Sequence, residues 1–172
     1  MAIASVSCRG LVRNLIVALI SAAVCITSAA AQSAPQPGQR WCDTDAKVLL
    51  ADARKGDGGA MLCMGVKYSN GSQVPRDDAQ ATSWFRRAAD AGQPSGMFFV
   101  GVAFWSGRGV PQDMVEAYKW LDLSAKYGND SERDRSTGAR DSLARVLSSG
   151  QISDAKMRAA EWEREFRKRK KP

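Results

Sequence analysis

Apolar residues in the middle of this chain recur every three or four positions. Met61, Met64, Gly65 and Tyr68 stand at i, i+3, i+4 and i+7, and Met97, Val100, Gly101 and Phe104 repeat that order. Such spacing gathers side chains on one face of a helix. A second stripe follows each of these: Ala81, Trp84, Phe85, Ala88 and Ala89, then Ala117, Trp120, Leu121, Ser124 and Ala125. Between each pair of stripes lies a turn, Gly71-Ser72-Gln73-Val74-Pro75 and Gly107-Arg108-Gly109-Val110-Pro111. Glycine admits positive φ and ends a helix, and proline keeps the chain from continuing as one. No long stretch alternates apolar and polar residues with period two, so the pattern predicts antiparallel helix pairs and no sheet.

The two pairs are copies. Gly56, Gly65, Gly71, Val74, Pro75, Asp77, Ala81, Trp84, Ala89 and Gly92 recur 36 positions later as Gly92, Gly101, Gly107, Val110, Pro111, Asp113, Ala117, Trp120, Ala125 and Gly128. A fixed period between about 20 and 50 residues marks an array of stacked supersecondary units. Asp77 with Gln80 and Asp113 with Glu116 have capping-box spacing at the second helices. Gly92 and Gly128 are read as helix stops, and Pro94 suits a first helical turn. A glycine inside a helix costs about 1 kcal/mol relative to alanine. The recurrence of Gly65 and Gly101 therefore predicts another helix backbone passing close by.

The period also organises the ends. Asp45 to Lys55 reads as one half-unit helix ending at Gly56. Full units span about 57–92 and 93–128, within a repeat domain at 43–166. After Gly128 the apolar pattern fails. Asn129 or Asp130 is expected to cap a polar helix to about Val146, with Thr137 in place of the repeat glycine. Ser148 and Gln151 form a capping box. The helix that follows carries Ile152, Ala155, Ala159, Trp162 and Phe166 on one face. This pair, 129–166, is expected to close the array, and 167–172 is expected to be a frayed basic tail.

Residues 1–31 read as a secretory signal: Arg9 and Arg13, an apolar run from Leu15 to Ile26, then Ser28-Ala29-Ala30-Ala31 as a cleavage site. The run is short for a membrane span of roughly 20 residues. The expectation is a periplasmic or secreted protein with a flexible lead-in at 32–42. Cys42 and Cys63 would remain after cleavage, and an oxidising compartment favours a Cys42–Cys63 disulfide, with two buried thiols as the alternative. The chain has 25 basic and 18 acidic residues, a formal charge of +7. Two of the basic residues leave with the signal and five crowd Arg167 to Lys171. The remaining body is near neutral, which is not the charge of a nucleic-acid-binding surface. The tail could touch anionic lipid or polysaccharide.

Candidate chemistry is sparse. The chain has no histidine, which removes His-based triads and His metal ligands. Two cysteines are too few for a four-Cys zinc site. Asp43-Thr44-Asp45 lacks the loop glycine and the glutamate of a calcium loop, and helix capping by Thr44 or Asp43 accounts for it. No catalytic, metal or cofactor-binding residue is assigned. The rival is Ser153-Asp154-Ala155-Lys156, which matches the Ser-x-x-Lys of penicillin-interacting enzymes. Neither Ser-Asp-Asn nor Lys-Thr-Gly accompanies it.

The string from Gly107 to Asp113, with Gly101 before it and Ala117, Trp120, Ala125 and Gly128 after it, resembles the Sel-1-like repeat. The segment from Ala139 through Gln151 to Trp162 also resembles the closing part of bacterial members. Gln73 departs from the pattern in place of the second turn glycine, and Ser124 in place of the first alanine of an Ala-Ala pair. The resemblance implies an all-α fold, a right-handed α/α superhelix of antiparallel helix pairs akin to the tetratricopeptide solenoid, with capping helices at both ends. It implies a non-catalytic scaffold that holds a protein partner in the bacterial envelope, without a cofactor. Cysteine-rich secreted relatives handle β-lactams weakly, but this chain lacks their one disulfide per repeat.

In stacked helix pairs the first helix of each unit lines a concave face. Leu62 and Val66 in unit one, and Phe98, Val102 and Trp105 in unit two, are the candidate partner-binding groove. The helix from Met97 to Trp105 is apolar nearly all round. Phe98 and Trp105 could anchor a partner, but the preferred expectation is that the protein's own helices cover the stripe, the C-terminal one with Trp162 and Phe166 among them.

Overall fold

The structure, a computed structural model, describes residues 42–170. The expected signal at 1–31, the lead-in up to 41 and the last two tail residues lie outside the described residues. Among these there are seven helices and no strand: α1 (Ala46–Arg54), α2 (Gly58–Asn70), α3 (Asp78–Asp90), α4 (Pro94–Ser106), α5 (Met114–Tyr127), α6 (Asp130–Ala144) and α7 (Ser149–Arg169). Each helix up to α6 packs on its chain neighbour, and α7 lies chiefly along α5. This is a solenoid of helix pairs in which α2, α4 and α6 are the first helices and α3, α5 and α7 the second. The lone α1 occupies the place of a second helix.

Caps explain most of the boundaries. The side chains of Asp45, Asp57, Asp77 and Asp113 accept from backbone N–H groups in the first turns of α1, α2, α3 and α5. Satisfying those otherwise orphaned donors is worth about 1 kcal/mol each. The cap of α1 is Asp45, not Thr44 or Asp43. Full capping boxes form at Asn129/Glu132 and Ser148/Gln151. They do not form at Asp77/Gln80 or Asp113/Glu116, because the Glu116 carboxylate turns instead to Lys119 and Arg158.

The turns repeat atom for atom. Gly71 and Gly107 end α2 and α4 at φ 71° and 68°. Asp77 N–H donates to Tyr68 O, and Asp113 N–H donates to Phe104 O, both at 3.0 Å. Gly128 differs from the stop expected of it: its φ is −75°, an extended step rather than a left-handed one. There the backbone of Ser124 and the side chain of Glu132 crowd the position where a Cβ would sit.

The core repeats too. Trp84 clusters with Leu49, Ala53, Met61 and Met64, and Trp120 with Phe85, Ala89, Met97 and Val100. Each of these residues corresponds to its counterpart at the 36-residue offset. The two tryptophans thus share equivalent apolar neighbours, but Trp162 of α7 packs edge-on against Trp120 at 5.6 Å, and the cations over the rings differ, Arg87 at Trp84 and Arg86 and Lys119 at Trp120. The helix glycines face the paired second helix. A Cβ on Gly65 would stand 2.4 Å from the Phe85 ring, and one on Gly101 would stand 2.8 Å from the Leu121 side chain. The expected close backbone occurs at Gly101, with Ala117 O at 3.2 Å, and more closely at Gly96, with Ala89 N at 2.8 Å. At Gly65 the close neighbour is a side chain.

The ends are held differently. Cys42 and Cys63 form a disulfide that ties the start of the described chain to α2. Closing a loop of this size is worth roughly 3 kcal/mol in the chain-entropy picture. At the other end α7 does not fray at 167: Arg167, Lys168 and Arg169 are helical. Phe166 sits over Gly92, where a Cβ would come within 2.7 Å of its ring. No helix among the described residues is long and apolar enough to cross a membrane.

Candidate functional site

The candidate groove lies on the first helices. Leu62 and Val66 of α2, and Phe98, Val102 and Trp105 of α4, are all half-buried. On each helix they stand within about 100° of Gly65 or Gly101, beside the face that meets the paired second helix and not opposite it. Leu62 and Val66 lean on the first two core clusters, Phe98 and Trp105 on the third, and Val102 lies outside all three.

Trp162 and Phe166 make no ring contact with Phe98 or Trp105, although Ile152 and Ala155 of the same helix, with Ala139 and Leu143 of α6, belong to the cluster on which those two residues lean. Trp162 and Phe166 stack on one another and pack against Trp120 and Tyr127 instead. Ala155, Ala159 and Trp162 of α7 are buried in the core, and two ion pairs to α5 accompany that packing. Arg158 reaches Glu116 at 3.1 Å and Lys126 reaches Glu163 at 2.6 Å. Burial pushes the Glu116 carboxyl up, but Lys119 and Arg158 outweigh it and hold the group below the ordinary glutamate range.

The stripe is flanked by α6. The Arg135 guanidinium lies 3.9 Å from the centre of the Phe98 ring. Phe98 meets Phe99 edge-on, and Phe99 stacks on Phe85 at 4.7 Å. A cation over a ring face is worth about 0.5–1 kcal/mol at an exposed site. Ala139 and Leu143 of α6 belong to the cluster against which Trp105 packs. The Trp105 carbonyl also accepts from Gln112 at 2.7 Å. Reading the sequence by apolar residues missed Arg135, although it stands 36 positions after Phe99 and 72 after Cys63.

The rival site assembles nothing. Ser153 and Lys156 are both exposed on α7 and no hydrogen bond joins them. The intervening Asp154 is held by Arg158 at 2.8 Å. Among the described residues no group of three Cys, Asp or Glu side chains is placed to hold a metal ion.

Two stretches, 60–93 and 94–129, match the family model of the Sel1 repeat. No curated protein matches the chain. Among solved structures, one similar to it is a protective antigen present in uropathogenic Escherichia coli strains and displaying an SLR fold. That match has a TM-score of 0.65 and 24% identity, over 70% of this chain and 25% of the other. A Sel1 repeat protein from Oxalobacter formigenes aligns with a TM-score of 0.53 and 24% identity, over 64% of this chain and 33% of that one. The chain therefore spans a quarter to a third of the length of these relatives, and at that identity the likeness concerns the fold.

Proposed function

We propose that this chain, a Sel1-repeat protein, is a non-catalytic scaffold that holds a protein partner against α2 and α4 in the bacterial envelope. The observation that carries this reading is the second apolar face of α4. Its first face, Met97, Val100 and Gly101, is buried in the core. Phe98, Val102 and Trp105 add an apolar stripe that stays half-exposed, although Phe98 and Trp105 lean on the third cluster. Aromatic residues in partly enclosed positions dominate the energetics of protein interfaces. Export is the second part of the proposal. It rests on the signal-like 1–31 segment and on a disulfide suited to an oxidising compartment.

The test compares the wild type with Trp105→Ala in intact cells, by crosslinking followed by mass spectrometry. The variant should lose its crosslinked partner while keeping its helical circular dichroism and a cooperative melt. Unchanged crosslinks would remove the groove reading. Cell fractionation and the mass of the mature N-terminus test export, with Gln32 expected as the first residue. Labelled penicillin should leave the protein unmodified.

A further inference from the structure

The C-terminal end of α7 and the neighbouring ends of α3 and α5 carry more positive charge than their carboxylates can neutralise. Among the described residues, five cations there, Arg86, Lys126, Arg167, Lys168 and Arg169, pair with three carboxylates, Asp90, Glu163 and Glu165, and Arg164 and Lys170 are in no ion pair. Asp90 is shared by Arg86 at 3.5 Å and Arg169 at 4.0 Å, and it also accepts from the Trp162 indole N–H. Glu163 is shared by Lys126 at 2.6 Å and Arg167 at 3.5 Å, and it also accepts from the Tyr127 hydroxyl. Lys170 is in no ion pair among the described residues and lies 4.8 Å over the Phe166 ring. The cations remain in water: Arg169 is 53% exposed and Lys168 72%.

Cations in the last turn of a helix complement its dipole, and one or two suffice for that. This cluster is different in two ways. It draws on three helices, brought together because Phe166 seats on Gly92 and α7 runs along α5. Its four consecutive cations, Arg167 to Lys170, are also spread around the helix at about 100° per residue. They cannot converge on one phosphate or one carboxylate. They suit a diffuse negative potential presented by an extended surface. Tyr127, partly exposed in the same place, is a residue type that settles at bilayer interfaces.

We propose that this end of the solenoid is a docking surface for an anionic lipid bilayer. It is separate from the face of α2 and α4, so each proposal stands if the other fails. Attraction of basic residues to anionic headgroups accumulates per charge and falls with salt.

The experiment is cosedimentation of the full chain with phosphatidylcholine vesicles, with and without phosphatidylglycerol. Arg9 and Arg13 beside the apolar 15–26 stretch add to the anionic preference of the full chain, so the share of the basic end is read from the variants. The wild type should bind the anionic vesicles at least about tenfold more tightly than the neutral ones, and high salt should abolish the difference. Replacing Arg167, Lys168, Arg169 and Lys170 together with Gln should remove the preference without changing the melting curve. Lys126→Gln should weaken it by a smaller factor. If the fourfold variant does not fold, Lys126→Gln decides the question, and an unchanged anionic preference in that variant overturns the proposal. Equal binding to both vesicle types, or a fourfold variant that binds like wild type, overturns the proposal. Tighter binding to soluble acidic polysaccharide than to anionic vesicles at matched charge also overturns it, in favour of a glycan.

Discussion

The side chain of Gln73 accepts a hydrogen bond from the backbone N–H of Ala46 at 2.9 Å, joining the turn of unit one to the start of α1. The equivalent turn residue in unit two is Gly109, and both adopt left-handed backbone, φ 65° and 72°. At Gly109 a Cβ would lie 2.1 Å from Asp78 O, in the first turn of α3. Subtracting the period from Asp78 gives Cys42, and α1 begins only at Ala46. The half unit therefore lacks the helical turn that would crowd position 73. A side chain fits there, and it supplies the cap that the shortened helix needs.

Gly109→Ala should be among the most damaging single changes, because it combines a backbone clash with left-handed strain of about 1–2 kcal/mol. Gln73→Gly should be near neutral, because the lost cap of about 1 kcal/mol is offset by relief of that strain. Gln73→Ala keeps the strain and loses the cap, so it should cost about 1 kcal/mol. Urea denaturation of the three variants checks the order. A Gln73→Gly variant no more stable than Gln73→Ala would show that position 73 carries no strain.

The turns, caps and paired stripes were legible because each depends on residue types with narrow physical uses: Gly at positive φ, Asp before a first turn, Trp in a wide gap. The first helix of the last pair was hard to read for the opposite reason. Helix α6 begins 36 residues after α4, yet only Ser136 and Leu143 of it are buried. Its packing depends on polar contact. Ser124 Oγ donates to Pro94 O at 2.8 Å and lies 2.8 Å from Ser136 Oγ, with both serines fully buried. One period earlier the same positions are Ala88 and Val100. The Ser124 departure is thus half of a matched pair that apolar periodicity cannot register. The cover over Phe98 escaped for a similar reason, since Arg135 acts through a ring face rather than as an apolar neighbour. Gly128 looked like its counterpart Gly92, but its backbone responds to the incoming turn of α6.

The serine pair makes a coupling prediction. Ser124→Ala should cost about 1–3 kcal/mol, because it leaves the Ser136 hydroxyl buried without its partner. Ser136→Ala should cost less, since Ser124 retains Pro94 O. The double change Ser124→Ala with Ser136→Val restores the residues of the preceding joint and should recover most of the loss. Strict additivity in a double-mutant cycle would show that the two hydroxyls act independently.

Acid should loosen the packing of α7 on α5. The Glu116 carboxyl is held below its ordinary range in the folded protein. Its stabilisation is therefore complete above the unfolded value, near pH 4.3, and is lost as pH falls through the folded one. The melting temperature of Glu116→Gln should lie below that of wild type at neutral pH, and the gap should close as pH falls below the unfolded value of about 4.3. A gap of constant size across that range would mean that Glu116 contributes shape and not charge.

Glycines of one helical type should respond to alanine with opposite signs, according to what faces them. Gly138 in α6 has nothing within 4 Å of the place where a Cβ would stand. Gly138→Ala should therefore stabilise by up to about 1 kcal/mol through helix propensity alone. Gly65 gains the same propensity, but its new methyl would enter the Phe85 ring at 2.4 Å. Overpacking of a filled core costs about 1–3 kcal/mol, which exceeds that gain. Unit two shows how the strain can be relieved, because Leu121 stands there in place of Phe85. Gly65→Ala combined with Phe85→Leu should therefore be more stable than the sum of the two single changes. Thermal melts of Gly138→Ala, Gly65→Ala, Phe85→Leu and the double variant test this directly. A destabilised Gly138→Ala, or a double variant that merely adds the single losses, would mean that the interior glycines do something other than make room for the paired helix.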